Sequence, residues 1–294
     1  MIYFINIIHG ANVRMAPIVF AAVCASMLAC QEQDTSSEGP SVLAGKAEKR
    51  ESLVEGSTYI VGSSWAQIDG GEYVPLYGAK GKTVFVDSFM MDAYPVTNAD
   101  FLSFVHRFPQ WRKSKVAPLF ADKTYLAPWK DDLTLGNGQL PNAPVTNVSW
   151  FAANAYCACR NARLPTTDQW EYAAMADSLS KDAREKPAYN QFLLGWYEKQ
   201  NTNNHPVGSA QLNAWGLYDM HGLVWEWTDD FSAVMIGDEN RGGPASDKNL
   251  FCGSAALGAT DLMNYAAFMR YAFRASMRAK FSARNLGFRC AKKQ

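Results

Sequence analysis

The chain predicts a mixed α+β fold, low in regular secondary structure. Three observations lead there. Runs with strand character are short, helical stretches are few and each opens on a cap residue, and the remainder is rich in Pro, Gly, Asp and Asn with aromatics set between them. Ile68-Asp69-Gly70-Gly71-Glu72-Tyr73-Val74 reads as a strand with a glycine turn, and Val84-Phe85-Val86-Asp87-Ser88-Phe89 as another. Thr97 caps a short helix, with Asp100 near its positive end and Phe101, Phe104 and Val105 on one face; Pro109 ends it. Residues 116–144 read as loop. Ser149 caps a helix through Tyr156 and Cys157, and Thr166-Thr167-Asp168-Gln169 is a capping box opening a third through Trp170 and Tyr172. Lys181 to Asn204 reads as polar and irregular, and from Asn213 onward Trp and Gly recur with little helical period.

The 294 residues carry a formal net charge of +0, which argues against a nucleic-acid partner. A composition of 48% hydrophobic and 13% aromatic residues is that of a globular chain with a sizeable core. Arg14 followed by the apolar run Met15 to Ala29 reads as an export signal, too short to span a bilayer comfortably. Met27-Leu28-Ala29-Cys30 resembles a lipobox, so Cys30 is the expected lipidation site; the alternative is an ordinary cleaved signal and a soluble periplasmic protein. Gln31 after the cysteine favours the periplasmic side of the outer membrane, reached through the lipid anchor. The expected organisation is a signal peptide over 1–29, a flexible tether over 30–56 and one domain over 57–294. Cys157, Cys159, Cys252 and Cys290 remain for that domain, and in an oxidising compartment they suggest two bridges in one of three connectivities.

Isolated His106, His205 and His221 have no metalloprotease spacing and read as structural. Gly81-Lys82-Thr83 is not a phosphate loop, because Leu76 stands where its first glycine is required.

Three blocks carry a family resemblance: Val84 to Val105, Pro144 to Ala174, and the pair Trp215 to Trp227 with Phe251 to Cys290. The last closes on Asn285-Leu286-Gly287-Phe288-Arg289-Cys290. In this order they resemble the formylglycine-generating enzyme, or sulfatase-modifying factor, family. The Cys252 block and Phe268 to Arg274 look most like its NirV-type members, nitrite reductase accessory lipoproteins. The resemblance implies a C-type-lectin-related α+β fold and a Cys157–Cys290 disulfide. It also implies a cleft on Trp225, Ser254, Asn285 and Arg289, residues that fit a plain core equally well. Asp219-Met220-His221-Gly222-Leu223-Val224-Trp225-Glu226 resembles the family's calcium loop. The carboxylates of Asp219 and Glu226 and the backbone oxygens of Gly222 and Val224 would bind a structural calcium ion. The competing reading is a buried Glu226 paired with Arg274 or Arg278.

One departure matters more than these likenesses. Family members that make formylglycine hold Cu(I) on two cysteine thiolates in the C-terminal region, yet Ala255 to Arg289 contains no cysteine. Cys159 and Cys252, unusual for the family, are expected either as a second disulfide or as a thiol or copper site. The expected function is that of an accessory or maturation protein for a copper enzyme such as nitrite reductase. The alternative is a divergent oxidoreductase acting on protein cysteine or a small molecule.

Overall fold

A computed structural model describes residues 64–76, 82–198, 204–231 and 262–294, with backbone alone for 197–198 and 262–265. The expected signal peptide, Cys30, the tether, Cys252 and Ser254 lie outside the described residues. Everything described belongs to one unit, Lys49–Gln294.

The two strand-like runs each divide in two. Strand β1 (Trp65–Ile68) and β2 (Gly71–Tyr73) flank Gly70, and β3 (Val84–Val86) and β4 (Phe89–Asp92) flank Asp87-Ser88. Gly70 has a physical reason: a Cβ there would lie 2.6 Å from the Val86 carbonyl oxygen. β2 and β3 pair antiparallel with Glu72 opposite Phe85. β1 pairs with β4, and β4 with the C-terminal β7 (Ala291–Lys293), giving the order β1-β4-β7. Alternation along β1 sends Ala66 and Ile68 inward, where they meet Met91, Trp170 and Leu217.

The expected helices form where the caps place them. α1 (Asn98–Arg107) opens on Thr97, whose Oγ1 accepts from the Asp100 N–H while the Asp100 carboxylate accepts from the Thr97 N–H. It ends at Arg107, and Pro109 starts a single 3₁₀ turn. α2 (Trp150–Ala158) opens on Ser149, and α3 (Thr167–Ala174) on the reciprocal Thr166–Gln169 box. Phe101, Tyr156 and Phe288 bring α1, α2 and the C-terminal segment into one aromatic core, with ring centroids 5.3–6.1 Å apart.

Two helices contradict the reading of the sequence. Lys181–Asn204 is not irregular throughout: α4 runs Pro187–Glu198 and buries Tyr189, Leu193 and Trp196 at helical spacing. The region after Asn213 is not all short elements either, because α5 runs Leu262–Ser276. Its buried stripe includes Ala266, Ala267, Arg270, Tyr271 and Arg274. Two arginines on the inward face broke the apolar period that would have revealed it.

The Cys157–Cys290 disulfide forms as the family resemblance implied, joining α2 to the residue before β7 across 133 positions. Closing so long a loop removes unfolded-state entropy worth about 5 kcal/mol in the chain-entropy picture, of which a net stabilisation of about 2–4 kcal/mol is typical. Asp92 supports the same junction. Its carboxylate takes a bidentate pair from Arg160 at 2.7 Å and accepts from the Cys290 N–H at 3.0 Å.

Candidate functional site

The Asp219–Glu226 loop runs into β5 (Trp225–Glu226), which pairs parallel with β6 (Leu286–Gly287). The loop therefore lies directly on the Asn285–Cys290 motif. Gly287 permits that approach, since a Cβ there would sit 3.3 Å from Val224 Cγ2 of the loop, and it also lets Val145 close in, whose carbonyl oxygen would lie 2.7 Å from the same Cβ. Gly222 has φ +118, and a Cβ on it would meet Ala210 at 2.6 Å. Asp219 takes the left-handed conformation at φ 57, which a short polar side chain tolerates.

Both carboxylates of this loop are buried and engaged. Glu226 accepts two bonds from Arg289 through Oε1, at 3.0 and 2.8 Å, and a third at 2.8 Å through Oε2. Oε2 also accepts the Trp170 indole N–H at 2.7 Å. Arg289 spends its remaining donors on the carbonyls of Asp92, Ala93 and Tyr218. Glu226 is thus the arginine-paired carboxylate of the competing reading, but its partner is Arg289 and not Arg274 or Arg278. Asp219 accepts from the backbone N–H groups of Gly208 and Ala210. Burial pushes its carboxyl up, the Gly208 and Ala210 N–H groups and Arg289 pull it down, and Glu226 adds to the rise.

The loop therefore holds two carboxylates against one guanidinium. The all-oxygen donor set is the kind that suits a hard cation, but both Glu226 oxygens already accept two bonds each, from Arg289 and Trp170, so a cation there would have to displace one of them. Among the described residues no group of three or more His, Cys, Asp or Glu is arranged to hold a metal ion.

Of the expected cleft residues, Trp225, Asn285 and Arg289 lie along the paired β5 and β6 segments but differ in burial. Arg289 is fully buried and belongs to the core, not to an open surface. Asn285 is exposed, and its carbonyl accepts the Trp225 N–H at 2.8 Å. Trp225 is half-buried and stacks on Phe273, with centroids 4.6 Å apart and planes at 28°. Cys159 is half-buried at the C-terminal end of α2, beside the disulfide.

A second charged cluster was not legible in the sequence. Glu171, on α3, accepts from Arg270 at 2.7–3.1 Å and from Arg274 at 2.6 Å. Burial works to raise the Glu171 carboxyl, but the two guanidiniums prevail and hold it at about 2. Arg274 also lies over the Trp170 ring at 4.7 Å. A small cleft reaches this cluster between Tyr73, Leu76, Arg184 and Tyr271. Nearby, His221 is wholly buried among Trp170, Tyr189 and Trp196. Its Nε2 contacts the Ala174 carbonyl, its Nδ1 has no partner, and burial pushes its pKa down to about 3.

Residues 40–294 match the model of the sulfatase-modifying factor enzyme 1-like domain family. This chain belongs to that family. It is 30% identical to the formylglycine-generating enzyme of Mus musculus over 257 residues, 72% of this chain and 68% of the relative. It is also 30% identical over 183 residues to the inactive C-alpha-formylglycine-generating enzyme 2 of the same species. That match covers 50% of this chain and 59% of the relative. To the hercynine oxygenase of Mycolicibacterium smegmatis it is 32% identical over 161 residues, 49% of this chain and 38% of the relative. The domain is thus formylglycine-generating-enzyme-like and related to oxidases, and the mixed helix and sheet architecture with little regular structure agrees with that membership.

Proposed function

We propose that this chain is a NirV-type accessory lipoprotein, anchored through Cys30 on the periplasmic side of the outer membrane. It would serve a copper enzyme such as nitrite reductase, or that enzyme's maturation machinery. One observation carries the reading: between Ala255 and Arg289 there is no thiol to hold Cu(I), and the inward face of α5 carries arginines bound to Glu171. The similarity to a relative named inactive supports a scaffold that persists without the oxidase chemistry. Calcium would sit on Asp219 and Glu226 with the backbone oxygens of Gly222 and Val224, supplying charge that stabilises the Trp225–Trp227 loop. In thermal melts, calcium is expected to raise the midpoint and a chelator to lower it, with both responses lost in Asp219→Ala.

The test of function is a peptide assay. Full-length protein is incubated with a Cys-x-Pro-x-Arg peptide, Cu(I) and O2, and the peptide is weighed by mass spectrometry. Unchanged mass is expected, together with co-purification of the copper enzyme. Conversion of the cysteine to an aldehyde overturns the reading.

A second reading is favoured by the hercynine oxygenase likeness: a divergent oxidoreductase using a thiol or copper site at Cys159 and Cys252. Copper retained in stoichiometric amount by the wild type and lost in Cys252→Ser would support it.

A further inference from the structure

Although the chain is neutral as a whole, its charge is unevenly placed. Residues 107–134 and 278–284 together carry nine Lys or Arg against three Asp. The fold joins these two segments. The Asp122 N–H donates to the Lys280 carbonyl at 2.9 Å, and the Asp122 carboxylate accepts from the Ser282 hydroxyl at 2.6 Å. The Trp150 N–H donates to Ala279 at 3.0 Å.

The same surface carries a ladder of half-buried rings. Trp111 lies 5.9 Å from Phe120, Phe120 lies 5.3 Å from Phe151, and Phe151 lies 5.5 Å from Trp150. Leu119, beside Phe120, is 70% exposed. Lys115, Lys123, Arg278 and Lys280 are exposed around the ladder.

The acids within these segments are already committed. Asp122 is bound by Thr124 and Ser282, Asp132 by Ser114, and Asp131 by the Leu133 N–H. At the Trp150 end, Asp230 is turned to Thr167 and Asp229 is, among the described residues, the one exposed acid beside it, against the four exposed cations. The face thus offers aromatic area rimmed by exposed cations, the composition that recognises an acidic chain carrying apolar side chains. Two of its three ring contacts are edge to face, its rings are half-buried, and Leu119 is more exposed than the other large apolar side chains of the segment. That favours a polypeptide laid across the ladder over insertion into a bilayer, which needs protruding side chains.

We propose that this face docks an acidic polypeptide segment of a partner protein. The proposal rests on the reading of this chain as a binding protein and supplies the chemistry of the partner.

Fluorescence anisotropy on the full chain tests it, with a labelled peptide of Glu and Phe against its Lys-for-Glu counterpart. Vesicles of phosphatidylcholine with phosphatidylglycerol are a third probe. The acidic peptide is expected to bind and the lysine peptide not to. Binding should weaken about tenfold in Lys123→Glu/Lys280→Glu and weaken again with added salt. Leu119→Ser, at an exposed position that leaves the core untouched, should weaken it less. No binding of the acidic peptide, equal binding of the lysine peptide, or indifference to the charge reversal overturns the proposal. Partition onto the anionic vesicles without peptide binding overturns it as well. The two readings fail separately: aldehyde formation on the Cys-x-Pro-x-Arg peptide removes the accessory role and leaves this face intact, whereas indifference to charge reversal does the opposite.

Discussion

Glu226 and Glu171 are both buried carboxylates met by arginine, yet their surroundings differ. Glu226 faces one guanidinium, and Arg289 has three backbone carbonyls in addition to it. Glu171 faces two guanidiniums, both from α5, at 2.6–3.1 Å. In the first site the main chain shares the work of solvating the cation. In the second a single carboxylate is shared by two guanidiniums on another helix, one of which also lies over the Trp170 ring. A buried charge that loses its counter-charge costs several kcal/mol, and removing the Glu171 carboxylate takes it from two guanidiniums at once, where removing that of Glu226 takes it from one. The difference teaches that α5 is held to α3 by charge, whereas the Asn285–Cys290 motif is held by both charge and backbone.

Glu171→Gln is therefore expected to have the largest effect. It keeps the volume and removes the charge, at a cost of about 3–5 kcal/mol. Glu226→Gln should cost about 1 kcal/mol less, because Arg289 keeps its carbonyls. Urea unfolding followed by tryptophan fluorescence measures both. The reverse order would break the comparison and place the main anchor at Glu226. Next in size is the disulfide: Cys157→Ala/Cys290→Ala should lose about 2–4 kcal/mol, with Asp92, Arg160 and the Cys290 N–H retaining local order.

How legible these sites were follows from which groups are local in sequence. Thr97, Ser149 and Thr166 each cap a helix with a side chain that reaches only three residues, so a single sequence reveals them. The Cys157–Cys290 link is 133 residues long and was visible only through family resemblance. Arg289 was singled out, but as a cleft residue, because nothing in the sequence says that Glu226 will reach it. The Glu171 cluster spans 99 and 103 residues, and no local pattern announces it. It also concealed α5, since arginines on an inward stripe look solvent-facing until their carboxylate is known. α4 is different: Tyr189, Leu193 and Trp196 had the helical period, and the surrounding Lys, Asn and Gln obscured it.

Acid separates the two regions further. His221 is held neutral, with its pKa pushed down to about 3 chiefly by burial and then by Arg270. Above the unfolded value, near 6.5, both states are neutral and its contribution is complete. As pH falls below that value the unfolded chain takes up a proton and the folded chain does not, so stability is lost from about pH 6.5 down to about 3. The Glu171 contribution is lost lower, as pH falls from 4.5 towards about 2. Between pH 6.5 and 4.5 the histidine acts alone of the two, at up to about 1.4 kcal/mol per pH unit. Thermal midpoints across that interval should decline in the wild type and flatten in His221→Gln. An unchanged slope would show that His221 is not the titrating group.

The smallest expected effect sharpens the role of charge. At Thr97 the hydroxyl accepts from the Asp100 N–H at 3.2 Å and donates to the Asp100 carboxylate at 2.6 Å. Thr97→Ala removes both bonds, but the Asp100 carboxylate still accepts the residue 97 N–H, at 3.1 Å in the wild type. The loss should be about 1 kcal/mol, and Thr97→Ser should restore most of it. Thr166→Ala makes the matching test on α3. There Gln169 Oε1 keeps the residue 166 N–H at 3.1 Å and Arg163 at 2.8 Å. Both caps are local and uncharged on the deleted side, so their losses should be alike and well below that of Glu171→Gln. If Thr166→Ala instead cost as much as Glu171→Gln, the cap would be setting the position of Glu171 one turn on. The attachment of α5 would then depend on how α3 begins as much as on the charges between them.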